Sequence, residues 1–236
     1  WTHVERVDVP YCLGNTMEEP RQLLLDFSPQ IEFQDQIRDY FGWEIFHDRE
    51  SARRLSQAAN PNFSIDLSSY EKIGIIGAAA SKQDIADSDC DFFIVADGSV
   101  GAIDDLSKVL FVVSDADGYP YLKRAIESRI PIALHAHGDN TEAWEYLLSQ
   151  LSDDYPLILT HQLPEKIEGM INPGGFTDGD RAICLAMMFG LKKEACELIG
   201  FCTNSVGQWS GVTNKSLKLK KLLWMEKILN AHGFFI

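Results

Sequence analysis

Four short stretches concentrate the residues able to do chemistry. "ADGS" supplies Asp97 and Gly98, "SDADG" supplies Asp115 and Asp117, and "HAHGDN" supplies His135, His137, Asp139 and Asn140. "GGFTDGDRA" adds Gly174, Gly175, Thr177, Asp178, Asp180 and Arg181. Any one of them fits an ordinary turn, because Asp and Gly stabilise turns locally. Together they place several carboxylates at a few chain reversals, and clustered carboxylates repel one another in a low-dielectric cleft unless a cation or a shared proton relieves them. A hard divalent ion such as Mg²⁺ takes a few carboxylates and leaves its other positions to water and phosphate oxygens.

The histidines allow a different chemistry. His135 and His137 alternate along an apolar run, so both can face one side of a strand, and Zn²⁺ is the ion usually held by such a pair. His161, after "PLILT", would complete a zinc-dependent hydrolase. Beside that stands the plain reading, in which these rings only hydrogen-bond within the core. A non-catalytic nucleotide-binding module, its carboxylates merely structural, is a further alternative.

"GGFTDGDRA" also has two readings. Thr177 or Asp178 can cap the helix that follows, and acidic residues suit its positive end. A Gly-Gly pair also permits close backbone approach to a ligand, and the Arg181 guanidinium is a forked donor for phosphate. The lysines of the last amphipathic stretch, Lys215, Lys218, Lys220 and Lys221, read most simply as a solvated face opposite Leu217, Leu222, Leu223 and Ile228, with a phosphate role as the alternative.

The elements that must position these groups show in the hydrophobic pattern. Residues 1–70 form an N-terminal, mostly helical region: "NTMEEPRQLLLDF", "PQIEFQDQIRDYFGWEIF" and "DRESARRLSQAA", broken at "NPN". Residues 71–236 switch to short apolar runs, each ending in small or acidic residues: "KIGIIGAAA", "DFFIVADGS", "VLFVVSDADG", "IPIALHAHGDN", "YPLILTHQ", then "EKIEGMI" and "ACELIGF". Continuous rather than alternating runs suit strands covered on both faces, and helical candidates lie between them. The expected fold is therefore α/β, a doubly wound and mainly parallel sheet whose ligands sit at the carboxyl ends of the strands. The last helix, "NKSLKLKKLLWMEKILNAHG", should stop at Gly233.

Composition narrows the function. The 236 residues carry a formal charge of −14, which argues against binding nucleic acid through a broad basic surface. A polyanionic small ligand then needs a metal ion or a local donor pocket. Five cysteines without CxxC spacing indicate neither a disulfide framework nor a zinc knuckle, and point to a reducing, cytoplasmic location. No apolar run approaches the roughly 20 residues of a membrane span, so no membrane partner is expected. "GAAASK", residues 77–82, lacks the G-x-x-x-x-G-K-[ST] pattern, and G-x-G-x-x-G, G-x-S-x-G and H-R-D do not occur.

In order, "ADG", "SDADG", "HAHGDN" and "GGFTDGDRA" resemble the archaeal-type 6-hydroxymethyl-7,8-dihydropterin pyrophosphokinases, across residues 40–230. That family is similar in fold to the catalytic domain of thiamin pyrophosphokinases. The resemblance implies transfer of a diphosphoryl group from ATP to the hydroxymethyl oxygen of the reduced pterin, with release of AMP, in folate or methanopterin biosynthesis. It implies Mg²⁺ on Asp115, Asp117 and Asp139, and a nucleotide along Asp97, Gly98, His137, Asn140, Gly174, Gly175, Thr177 and Asp178. Asp117, Asp180 and Arg181 would then act at the reacting end, Asp117 or Asp180 taking the proton of the attacking alcohol. A planar pterin needs an aromatic slot and a polar partner for its amino edge, for which Asp97, Phe176 and Trp209 are candidates. The chain departs from its relatives after the first strand, where Gly77-Ala78-Ala79-Ala80-Ser81-Lys82 replaces a Gly-Pro-Ser-Leu type turn. A thiamin pyrophosphokinase, or a pyrophosphokinase for another small alcohol, shares the ATP chemistry and is the nearest alternative. A homodimer is the expectation for such a fold.

Overall fold

Six of the apolar runs form strands of one wholly parallel sheet in the computed structural model, which describes residues 28–119, 121–211 and 214–236. The strands are β1 (Ile73–Ile76), β2 (Phe92–Ala96), β3 (Val109–Ser114), β4 (Ile132–His135), β5 (Leu157–Thr160) and β6 (Cys196–Ile199). Their order is β5-β4-β3-β2-β1-β6, every neighbour parallel. β1, β3, β4 and β5 are buried at every position, which is why their sequences are continuous rather than alternating.

Helices cover both faces. Ile76, Val95, Val112 and Leu134 pack beneath α2 (Ile45–Ala58), α4 (Leu122–Glu127) and α5 (Thr141–Ser149), with Ile85 of α3 (Lys82–Asp87) at the margin of this core. Ile75, Ile94, Phe111 and Ala133 pack beneath α6 (Asp178–Met188) and α7 (Lys215–Ala231). α1 (Ser28–Phe41) lies outside, where Ile37 joins Cys184, Trp224 and Ile228 in a smaller cluster. The doubly wound α/β architecture is thus as the pattern predicts. After β1 the chain leaves toward the α3 face, and after neighbouring β6 toward the α7 face. The carboxyl ends of these two strands therefore open a crevice.

Two expectations need correcting. "EKIEGMI" is no strand: only Ile171 bridges, to Thr160. "PQIEFQDQIRDYFGWEIF" is two helices, because Gly42 takes a left-handed φ of 69° and turns the chain between α1 and α2. "GAAASK" is no phosphate loop, as its missing pattern implies: Ser81 and Asp84 form the capping box of α3, and Lys82 pairs with Asp104 on the surface. The helix expected in "NTMEEPRQLLLDF" lies outside the described residues. The last helix ends as anticipated, with Gly233 at φ 78° accepting the left-handed turn just beyond it. Among the described residues, no helix is long and apolar enough to cross a membrane.

Candidate active site

A cleft of about 510 Å³ lies at the carboxyl ends of the strands. Gly77–Ala79 after β1, Asp97 and Gly98 after β2, Asp115 and Asp117 after β3, and His137–Asp139 after β4 all line it. So do Thr177, Asp178 and Arg181 at the start of α6. Parallel strands aim every carboxyl end the same way, so loops distant in sequence converge.

The centre is acidic. Asp97, Asp115 and Asp178 each offer an oxygen within 4.8 Å of the others, and Asp117 stands on the same loop as Asp115. Asp97 sits at a left-handed φ of 41°, where its carboxylate accepts from Ser114 Oγ at 2.5 Å and abuts Gly118 so tightly that a Cβ there would meet it at 2.0 Å. Burial, then the charges of Asp178, Asp115 and Asp117, push Asp97 well above the usual carboxylate range. Burial and the Asp115 charge likewise push Asp178 up to about 8, against the pull of Arg181. Asp117 is raised by burial and by Asp115. Asp115 goes the other way: burial would raise it, but the hydrogen bond and charge of His137, with Arg181 behind them, hold it below the ordinary range.

His137 is the clamp on this side. Its Nε2 lies 3.3 Å from Asp115 Oδ2 and its Nδ1 2.6 Å from Asp139 Oδ1. Burial would lower the ring, yet its bonds to the two carboxylates raise it to about 9, so it is an imidazolium at neutral pH. Arg181 is held on the other side: Nη1 donates to Asp178 Oδ1 and Nη2 to the Phe176 carbonyl, each at 3.0 Å, while its buried Nε has no partner.

Not every predicted residue joins the acidic centre. Asp139 lines the cleft but is 86% exposed and turned to His137, outside the three-carboxylate group; the others stand behind the cleft wall. Asp180 is fully buried, accepting from the amides of Phe176 (2.7 Å) and Thr177 (2.8 Å) and from the Thr177 hydroxyl, a capping box that holds the α6 start in place. Asn140 ties loops together, donating to the carbonyls of His135 (2.7 Å) and Asp115 (2.9 Å) and accepting from the His137 amide (2.9 Å). Gly174 and Gly175 have φ of 82° and 78°, and a Cβ on Gly175 would strike the Arg181 backbone at 2.5 Å, so this pair seats the loop on its helix rather than opening it to a ligand.

The three histidines do not form a metal site. His135 is fully buried between Thr160 and Gln162, and His161 Nδ1 accepts from the Leu163 amide at 3.1 Å. Among the described residues, a second group with metal-like spacing is Asp89, Cys90 and Glu197, near the opposite end of the sheet. There the Lys72 ammonium already bridges Asp89 and Glu197.

Some lining residues carry no motif. Trp43, Glu44, His47 and Asp48 come from the α1–α2 corner, and Lys218, Lys221, Leu222 and Met225 from α7. Asp48 accepts from the Gly138 amide at 2.8 Å and from Gln162 at 2.9 Å, tying α2 to the loops after β4 and β5. Lys221 lies over the rings of Trp43 (5.3 Å) and Phe176 (5.7 Å), so it does not belong to a solvated face as its pattern suggests. The pterin candidates all line the cleft: Phe176 at this corner, Asp97 in the acidic centre, and Trp209, which packs on Gly101 and bonds the Ala80 carbonyl at 2.7 Å. Trp43 could have been suspected only as a tryptophan at a helix break.

No protein-family model matches the chain. A curated protein of Pyrococcus furiosus, named 6-hydroxymethyl-7,8-dihydropterin pyrophosphokinase, is 32% identical over 192 residues, covering 75% of this chain and 79% of its own. One of the same name from Methanocaldococcus jannaschii is 36% identical over 106 residues, 42% of this chain and 43% of its own.

Proposed function

The chain belongs to the 6-hydroxymethyl-7,8-dihydropterin pyrophosphokinase family, and from that premise we propose that it transfers diphosphate from ATP to the hydroxymethyl group of 6-hydroxymethyl-7,8-dihydropterin. The pterin alcohol attacks the β-phosphorus, a new C–O–P bond forms, the bond between the α-phosphate and the β-phosphorus breaks, and AMP leaves. The observation that carries this reading is the juxtaposition, in one cleft, of three mutually repelling carboxylates and a buried arginine with a spare N–H.

The donor set suits a hard divalent cation: it is all oxygen, and two of its three carboxylates are pushed upward by burial and by one another's charge. Asp97, Asp115 and Asp178 would hold Mg²⁺, with Asp117 within reach, rather than Asp115, Asp117 and Asp139. Bound there, the ion would neutralise phosphate oxygens and so favour attack on phosphorus. The chain's own groups do the rest. Arg181 lines the cleft and sets its positive charge beside the phosphates as charge builds, fixed in direction by its bonds to Asp178 and Phe176. His137 keeps Asp115 ionised and aimed. Asp117, exposed to the cleft, takes the proton of the alcohol. Asp180 and Asn140 act at one remove, holding the α6 start and the β4 loop.

The test is incubation with Mg²⁺ and ATP plus either the reduced pterin or thiamin, measuring AMP. Release with the pterin alone is the expected result, and release with thiamin alone overturns the acceptor assignment in favour of a thiamin pyrophosphokinase.

A further inference from the structure

The inward stripe of α7 is Lys218, Lys221, Leu222 and Met225, spaced i, i+3, i+4 and i+7, so that all four side chains share one face of the helix and line the cleft. Leu222 and Met225 are buried, as an inward stripe requires. The two lysines are half-buried, unlike Lys215 and Lys220, which are exposed. Among the described residues neither makes an ion pair within 4.0 Å, although the protein carries a formal charge of −14. Lys221 is instead held over Trp43 and Phe176, and Lys218 lies near enough to Asp117 and Asp178 to favour their ionised forms. A lysine that only needed solvent would extend away from the cleft, and one that only balanced charge would bond a carboxylate. These two do neither.

We propose that Lys218 and Lys221 are substrate-binding residues that hold the β- and γ-phosphates of ATP, so that the triphosphate passes between α7 and the carboxylate cluster. This rests on the pyrophosphokinase reading of the site and adds to it the cations on the side away from Arg181's own helix. Ammonium groups suit this place because each is a compact charge on a flexible stem, able to follow a diphosphoryl group as its bond to the α-phosphate breaks.

The test compares two nucleotides on the full chain with Mg²⁺ by calorimetric titration: α,β-methylene-ATP, which keeps all three phosphates and cannot be cleaved at the reacting bond, and AMP. Lys218→Gln and Lys221→Gln should each weaken α,β-methylene-ATP about tenfold while leaving AMP binding unchanged, and Lys218→Arg should restore most of the loss. Melting temperature and AMP affinity report whether each variant is folded, and Lys221→Gln carries the comparison if Lys218→Gln is not. Unchanged affinity for α,β-methylene-ATP in both variants overturns the proposal. So does an equal loss for both nucleotides, which would mean general damage to the cleft. Failure of the pyrophosphokinase reading looks different: wild-type protein would bind α,β-methylene-ATP through the lysines yet release no AMP with a pterin acceptor.

Discussion

Carboxylates gather at both ends of the sheet, and the two gatherings differ in what neutralises them. Near the amino ends of β1, β2 and β6, Asp89 and Glu197 already share the Lys72 ammonium. At the carboxyl ends His137 holds Asp115 and Arg181 holds Asp178, but among the described residues no cation bonds Asp97, and Asp97 and Asp178 are still raised above the usual range. Both groups satisfy the spacing of a metal site. Only the second leaves repulsion for a ligand to relieve, and only it opens into a cleft of a ligand's size. Spacing of acidic residues is therefore a poor guide to function unless the compensating charge is sought as well.

Substitutions can break this contrast. The largest effect should come from Asp117→Asn or Asp115→Asn, which should cut AMP formation on the order of 10³-fold or more, while Asp89→Asn leaves the rate near wild type. Comparable losses in all three would erase the distinction. Next, Mg²⁺ at ~100 times its dissociation constant should stabilise the wild type by ~2.7 kcal/mol, read as a rise in melting temperature that Asp97→Asn abolishes and Asp89→Asn retains. In chelator above pH 8, where Asp178 is ionised, Asp178→Asn should raise the melting temperature by about 2–4 °C, the worth of ~1 kcal/mol in a domain this size, because it removes one repelling charge while destroying activity. A fall instead would mean that Asp178 is held chiefly by Arg181. The smallest effect belongs to Lys72→Met, a drop on the order of 1 °C, since the two pairs it breaks lie at the solvent-facing surface.

How much of this was legible beforehand depends on whether an element's neighbours lie in its own sequence pattern. The strands were legible because burial on both faces writes itself as runs such as "KIGIIG" and "VLFVVS". Asp115, Asp117 and Asp178 were legible because a strand or helix end fixes where they point. Asp180 and Asn140 stand behind the cleft wall, and a carboxylate or amide that holds backbone N–H groups looks, in sequence, like one that holds a ligand. Asp48 carried no signal, and Trp43 only that of a tryptophan at a helix break, since nothing local says that α2 begins beside the β4 loop. For Lys218 and Lys221 the sequence leaves solvent and phosphate both open, because amphipathicity separates polar from apolar faces and cannot say which polar residues line a cleft.

The strand order has a kinetic consequence. β1 through β5 pair each with the next, so most of the sheet can assemble in the order in which the chain is synthesised. β6 alone must return to β1, bringing Cys196 beside Ile73 across more than half the chain. Until it does, β1 is an unpaired edge of wholly apolar residues, Ile73–Ile76, open to other nascent chains. Closing that long loop should be the slow step of folding, and a ligand that bridges the loops after β1 and β6 would act on it as a latch, slowing the reopening of the edge.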